Sequence, residues 1–180
     1  MFTEELVQGC VDDWRSISVH PEPCFPPSVY YRVLYLLVQR AAPEIAVELG
    51  TCGGGASLHM AMGCSTTKVY TFDNIKEWQV SIAETLVENF HFILDDSVQA
   101  ATRFQDASVG LLFVDTTHTY EQTMAEYRVW LPKMRSSGIV IFDDIGRGGM
   151  DRAIAEIGGH QLHYPWLGGD GGMVFLLLGG

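Results

Sequence analysis

The chain has 180 residues, 47% of them hydrophobic, and a formal net charge of −11 at pH 7. This length is typical of one domain with a single substantial core. The acidic balance argues against a nucleic-acid partner, because a protein that holds a phosphate backbone needs a basic surface.

The cysteines and the apolar runs indicate the cellular compartment. Cysteines at positions 10, 24, 52 and 64 show no C-x-x-C spacing and follow no secretory signal. We therefore expect reduced thiols in a cytoplasmic protein. The longest apolar run, residues 173–178, is too short to cross a bilayer, so we expect no membrane partner.

The first quarter of the chain reads as a helical extension. Residues 1–14 and 28–42 carry apolar side chains at helical spacing, and four prolines between positions 21 and 27 predict an extended connection between them. We interpret tyrosines 30, 31 and 35 on the second helix as packing residues. A single domain over 1–180 is expected, with 1–42 as the extension and 43–178 as the core.

The centre of the chain is an apolar run that ends in a carboxylate and a glycine cluster, Glu48-Leu-Gly-Thr-Cys-Gly-Gly-Gly-Ala-Ser57. It predicts a buried strand, a tight turn and the start of a helix, where glycine lets a ligand approach the backbone. The glycines do not fit the dinucleotide pattern G-x-G-x-x-G. The segment instead resembles the first motif of class I S-adenosylmethionine (SAM)-dependent methyltransferases. The resemblance implies that the loop binds the methionine moiety of SAM through Glu48, Gly50, Thr51, Gly53, Gly54 and Ser57.

Strand and helix patterns then alternate to the end of the chain. Strands are predicted at 68–73, 90–95, 109–115 and 138–142, and helices at 77–88, 98–104 and 120–134. Apolar segments at 161–164 and 173–178, joined by a glycine-rich turn, predict a hairpin. The pattern is that of a doubly wound, mostly parallel sheet. It resembles the class I methyltransferase fold, which implies seven strands, a terminal antiparallel hairpin and helices on both faces.

Carboxylates fall at the predicted carboxyl ends of the strands, where open α/β sheets bind their ligands. The residues are Glu48, Asp73, Asp95, Asp96, Asp115, Asp143 and Asp144. Asp73 is placed to accept the ribose hydroxyls of a nucleoside cofactor, with Asn74 beside it, and Asp73 could at the same time cap the next helix. For Asp96 and Ser97 the resemblance implies contact with adenine, and a helix cap is an equal alternative.

Asp115, Asp143 and Asp144 form a second group, in which unpaired carboxylates would repel each other. Oxygen ligands favour a hard cation such as Mg²⁺. Their surroundings resemble the metal-dependent O-methyltransferases, which implies a magnesium site that holds an acceptor hydroxyl. The alternative is that Asp144 caps a turn and Asp115 touches only SAM.

His118 stands three residues after Asp115, where the catechol-type relatives carry a lysine credited as general base. The segment resembles the Asp-x-x-His-x-Tyr of other small members, which implies a catalytic pair, His118 and Asp115. Capping of the long helix is the alternative role for His118.

The expected reaction is methyl transfer from SAM to a hydroxyl of a small molecule, aided by Mg²⁺. The proline-rich segment, the loop 146–149 with Arg147, and Trp166 are candidate walls of the acceptor site. A catalytically silent SAM-binding or homo-oligomerisation module and a Rossmann-type oxidoreductase stay open as other classes.

Overall fold

A computed structural model describes residues 1–19, 24–25, 28–168 and 171–179. Most of the proline-rich segment expected to be an extended loop lies outside these ranges. The sheet has seven strands in the order β3-β2-β1-β4-β5-β7-β6. They are β1 Ile45–Leu49, β2 Lys68–Asp73, β3 Phe90–Leu94, β4 Val109–Val114, β5 Met134–Phe142, β6 His160–Tyr164 and β7 Met173–Leu177.

The pairing confirms the predicted fold class. Strands β1 to β5 run parallel, and β7 pairs antiparallel with both β5 and β6 to form the terminal hairpin. Strand β4 is buried along its whole length, as a central strand covered on both faces should be. Because β1 and β4 are neighbours whose chain connections leave in opposite directions, their carboxyl ends mark the switch point of the sheet.

The helices cover both faces of the sheet and create one apolar core on each side. One face carries the first four helices, and the other carries the last two together with a short 3-10 turn. The helices are α1 Glu4–Asp13, α2 Val29–Ala41, α3 Gly55–Gly63, α4 Trp78–Leu86, α5 Tyr120–Trp130 and α6 Met150–Ile157. The N-terminal extension is tied to the hairpin, since Tyr164 Oη donates to Gln8 Oε1 at 2.8 Å.

Three local expectations differ from the structure. The helix predicted at 98–104 is a 3-10 turn, Gln99–Arg103. The helix predicted to reach Met134 ends at Trp130, because Pro132 in the following 3-10 turn lacks the N–H that a longer helix needs. The sequence reading missed α6, an eight-residue helix flanked by glycines that buries Met150, Ala153 and Ile154. No helix in the described part of the chain has the length and hydropathy needed to cross a membrane.

Candidate active site

A cleft of about 360 Å³ opens at the carboxyl ends of β1, β2, β3 and β4. This volume lies within the range of small-molecule sites. The sequence reading had selected half of the lining residues: Gly50, Asp73, Asn74, Asp96, Ser97 and Asp115. It had not assigned the others to the cofactor site: Cys52, Phe72, Asp95, Thr116, Thr117 and Gln122.

The glycine loop brings β1 against β4. Gly50 has φ +91°, and a Cβ on it would lie 1.9 Å from the carbonyl oxygen of Asp115. Any other residue would therefore push the two strand ends apart. The loop is also held from the β2 side, since the Cys52 N–H donates to Asp73 Oδ2 at 2.9 Å. The cleft walls are thus fixed to one another by the backbone.

Three of the predicted cofactor residues lie beneath the loop, outside the cleft lining. Glu48, Thr51 and Ser57 are all buried. Thr71 Oγ1 donates to Glu48 Oε2 at 2.5 Å and lies 2.6 Å from Thr51 Oγ1. Burial raises the pKa of Glu48 to about 8, against the lowering effect of its hydroxyl partners. These side chains support the loop from below, and their contact with a cofactor stays a prediction.

Asp73 forms internal hydrogen bonds and also lines the cleft. Its Oδ1 accepts from the Ile75 N–H at 3.3 Å, which caps the turn after β2, while Oδ2 holds the glycine loop. A carboxylate has about four acceptor positions, so oxygen lone pairs remain for a ligand. Since Asp73 lines the cleft, it keeps the capacity to accept ribose hydroxyls.

The polar side chains that follow β3 mainly form hydrogen bonds within the protein. Asp96 Oδ1 accepts from the N–H groups of Val98 and Gln99, each at 3.0 Å, which is a capping arrangement. Ser97 Oγ donates to the buried Glu126 at 2.6 Å and accepts from Gln122 Nε2 at 3.0 Å. Gln122 and Glu126 are four residues apart on α5, a spacing that places both side chains on one face of the helix.

The acidic residues meet around His118. Its Nε2 lies 3.0 Å from Asp115 Oδ1 and 3.8 Å from Asp144 Oδ2, and Arg147 Nη1 lies 3.1 Å from the same Asp144 oxygen. The hydrogen bond with Asp115 raises the pKa of His118, and burial partly opposes this rise. Burial, followed by the charge of Asp115, raises the pKa of Asp143 to about 7. The structure thus brings Asp115, His118 and Asp144 together, and their roles stay predictions.

Among the described residues, the acidic side chains offer a metal two unpartnered oxygens but no complete set of protein ligands. Within the described ranges, no group of three or more His, Cys, Asp or Glu side chains could hold one. Asp115 Oδ1 is already hydrogen-bonded to His118 Nε2 at 3.0 Å. Two buried oxygens, Asp143 Oδ1 and Asp144 Oδ1, have no hydrogen-bond partner among the described residues. A Cβ on Gly168 would lie 2.3 Å from the former, so glycine keeps that space open.

Comparison with known proteins identifies the family. The sequence model of a family described as a methyltransferase domain matches residues 47–145, which contain the glycine loop, Asp73, His118 and the acidic residues. The chain belongs to this methyltransferase family. A search of curated proteins found no match. The family assignment removes the support for a Rossmann-type oxidoreductase.

Solved methyltransferases share the fold of this methyltransferase. An O-methyltransferase from Bacillus cereus in complex with SAH has a TM-score of 0.65 and 19% identity, covering 97% of this chain and 91% of that one. A methyltransferase from Geobacter sulfurreducens has a TM-score of 0.67 and 17% identity, covering 99% of this chain and 90% of that one. The O-methyltransferase TomG from Streptomyces achromogenes, in complex with SAM, has a TM-score of 0.65 and 14% identity, covering 98% of this chain and 91% of that one.

The methyltransferase holds strained backbone at this site. Cys52, His118 and Asp144 have φ of +46°, +54° and +51°, and they make up three of the five described non-glycine residues with positive φ. Such conformations cost on the order of 1–3 kcal/mol each and persist where the surroundings impose them. Cys52 lines the cleft, and His118 and Asp144 belong to the acidic group around Asp115, so the strain is concentrated near one end of the sheet.

A second cavity of about 390 Å³ adjoins the methyltransferase cleft, and Cys52 lines both. Tyr31 of α2 lines this cavity and packs on the glycine loop, where a Cβ on Gly55 would lie 2.7 Å from its ring. Its neighbour Tyr30 packs against it, with ring centroids 4.5 Å apart. Both tyrosines therefore pack as predicted, with Tyr31 directly beside the glycine loop.

Proposed function

We propose that this methyltransferase moves the methyl group of SAM to a hydroxyl group of a small molecule. The observation that carries the proposal is the continuity of one cleft, which joins the glycine loop and Asp73 to the Asp115–His118 pair. The cleft is therefore suited to hold a nucleoside cofactor beside a group that can accept a proton. The bound SAH and SAM of the Bacillus and Streptomyces enzymes support this choice of cofactor.

Cofactor binding is assigned to the cleft residues. Asp73 would accept the ribose hydroxyls, while the backbone of Gly50 and Cys52 leaves room for the methionine moiety. The side chains of Asp96 and Ser97 already form internal hydrogen bonds, so we assign them a position beside the adenine ring with few direct hydrogen bonds to it. Because the protein holds these groups in position before SAM arrives, little order has to be created on binding.

We assign His118 as the base that removes the proton of the acceptor hydroxyl. Asp115 engages Nε2, which fixes the ring and leaves Nδ1 as the nitrogen available to take a proton. The deprotonated oxygen then attacks the sulfonium methyl in line, the carbon–sulfur bond breaks, and SAH leaves. Only neutral imidazole can act as the base. Since the carboxylate favours the protonated ring, the base becomes active above the ordinary pKa of histidine.

We also propose that Mg²⁺ assists deprotonation of the acceptor hydroxyl. The two unpartnered oxygens of Asp143 and Asp144 are hard donors, and Mg²⁺ is commonly held by one or two carboxylates completed by water and substrate oxygens. When bound, the ion would lower the pKa of an acceptor hydroxyl. Asp115, the third metal ligand expected from the sequence, has its Oδ1 bonded to His118, and its place at the ion stays a prediction.

Methyl transfer is tested with radiolabelled SAM and a panel of catechols, hydroxybenzoates and sugars, each with Mg²⁺ or with a chelator. We expect labelled product from at least one hydroxylated acceptor, with a rate that falls in the chelator. Calorimetry with SAM and with NAD checks the cofactor independently. SAM binding without transfer to any member of the panel would favour the silent module instead. A cytoplasmic location and a homo-oligomer stay predictions.

A further inference from the structure

Glu126 of α5 is a buried carboxylate that binds three side chains of the cleft lining. Its Oε1 accepts from Ser97 Oγ at 2.6 Å and from Gln122 Nε2 at 2.8 Å. Its Oε2 accepts from Thr116 Oγ1 at 3.1 Å. Ser97 follows β3 and Thr116 follows β4, and the order of the sheet places β2 and β1 between these two strands. A single side chain of α5 therefore holds two separate parts of the cleft wall.

The hydrogen bonds of this network use all the polar side-chain hydrogens of the three partners. The hydroxyls of Ser97 and Thr116 each have one hydrogen, and both donate it to Glu126. The Gln122 amide has two, and it donates one to Glu126 and the other to Ser97 Oγ at 3.0 Å. The groups that these side chains leave for a ligand are therefore acceptors, namely Gln122 Oε1 and lone pairs of the two hydroxyls.

The negative charge of Glu126 determines this arrangement. A carboxylate only accepts, so the amide nitrogen of Gln122 has to face it and the amide oxygen has to face away. Burial raises the pKa of Glu126, and the hydrogen bonds from its three partners oppose this rise. Three donors around one carboxyl group match its ionised form, because a protonated oxygen would need an acceptor.

Helix α5 holds Ser97 through a second contact. The indole N–H of Trp130, a buried residue one turn after Glu126, donates to the carbonyl oxygen of Ser97 at 2.8 Å. The hydroxyl and the carbonyl of Ser97 are thus both bound to the same helix. This part of the wall keeps its hydrogen-bond pattern before a ligand arrives, which lowers the cost of ordering it on binding.

The purine of a nucleoside cofactor fits the position of these acceptors. Asp73, assigned above to the ribose, ends β2, and the neighbouring strand β3 leads into Ser97. Adenine carries an exocyclic amine that donates hydrogen bonds, whereas hypoxanthine carries in its place an oxo group that only accepts. Resting on the function proposed above, we infer that Glu126 is a positioning residue for the cofactor. It keeps Gln122 Oε1 as the acceptor of the adenine amine, so the cleft selects an aminopurine over an oxopurine.

Calorimetry with two ligands that differ in the purine tests the inference. They are SAH, which methyl transfer leaves in the site, and S-inosylhomocysteine, in which an oxo group replaces the amine. The wild-type protein should bind SAH about ten- to 100-fold more tightly, because the oxo group loses a hydrogen bond and faces an acceptor. Glu126→Gln should reduce this preference to less than about three-fold. Its new amide can donate to Gln122 Oε1, which allows the Gln122 amide to turn and present its nitrogen to the ligand.

Gln122→Met removes the acceptor directly and leaves the buried carboxylate in place. This change at a half-buried position should also abolish the preference, mainly by weakening SAH binding. It decides the question if thermal melting shows that Glu126→Gln does not fold. Glu121→Gln is the matched control, because it makes the same substitution at an exposed carboxylate of α5 and should keep the wild-type preference.

Equal affinity of the wild-type protein for the two ligands, or a wild-type preference in Gln122→Met, would overturn the inference. A folded Glu126→Gln protein that binds both ligands more weakly by the same factor would also overturn it, since a merely structural role predicts that result. SAH binding without discrimination leaves the proposed methyl transfer intact, whereas a lack of SAH binding overturns the inference and the proposed cofactor together. Discrimination without transfer to any acceptor keeps the role of Glu126 and refutes the proposed reaction.

Discussion

Replacing Asp73 by alanine tests the cofactor assignment most directly. The change removes the acceptor of the Cys52 N–H at 2.9 Å and that of the Ile75 N–H at 3.3 Å. Both donors lie at the surface end of the sheet, so water can replace the carboxylate. We therefore expect a loss of about 1 kcal/mol in the free energy of unfolding, or about 2–4 °C in Tm.

The effect on SAM should be larger than the effect on stability. Each ribose hydrogen bond to a charged acceptor contributes about 1.5–3 kcal/mol, so the loss of one bond weakens binding about ten- to 150-fold and the loss of two weakens it further. Asp73→Asn keeps one oxygen acceptor but loses the charge. Since neutral hydrogen bonds contribute about 1 kcal/mol, this variant should fall between wild type and alanine.

Calorimetric titration with SAM measures the affinities, and circular dichroism with thermal melting checks the fold. Asp106→Ala serves as the control, since Asp106 is an exposed carboxylate paired with Lys133 and is not part of the cleft lining. A folded Asp73→Ala protein that binds SAM with the wild-type Kd would refute the assignment of Asp73 to the ribose.

Three further predictions follow from the other acidic residues and His118. His118→Gln should lower kcat about 10²–10⁴-fold with little change in SAM affinity. The wild-type kcat should rise with pH through a pKa above that of free histidine, and this rise should be absent from the variant. A variant with the same pH profile as the wild type would show that His118 has a structural role. Asp143→Asn combined with Asp144→Asn should abolish Mg²⁺ binding, measured as Mn²⁺ displacement by electron paramagnetic resonance, while calorimetry still detects SAM. Glu48 has a folded pKa of about 8, above its usual 4.5, so the folded state binds more protons between these values and stability should fall as pH rises through this window. Glu48→Gln should flatten this part of the Tm-against-pH curve, and an identical slope in both proteins would show that Glu48 ionises freely.

The sequence was informative where one residue type determines the local structure. The glycine loop, the continuous apolar run of β4 and the acids at the strand ends were enough to predict the sheet and to place Asp73 and Asp115 beside one cleft. Periodic apolar patterns likewise located most helices. These features are visible in sequence because each acts through its own backbone position or its own burial.

The parts that the sequence did not reveal depend on contacts between distant segments. Asp115 was expected both at a metal and beside His118, but the 3.0 Å hydrogen bond between the two side chains depends on the backbone of the loop between them. Trp14 and Trp166 line one small pocket although they lie at opposite ends of the chain, and no local pattern marks this. Helix α6 is too short for its apolar spacing to stand out.

The left-handed backbone at Cys52, His118 and Asp144 has a consequence for how this enzyme tolerates mutation. Glycine takes up positive φ without a steric penalty, so at any of these positions it would relieve strain of about 1–3 kcal/mol, against a smaller entropic cost of about 0.5–1 kcal/mol. The same substitutions would delete a thiol beside the cofactor, the assigned base or a carboxylate of the acceptor side. Selection for thermal robustness and selection for turnover should therefore act in opposite directions at these three residues.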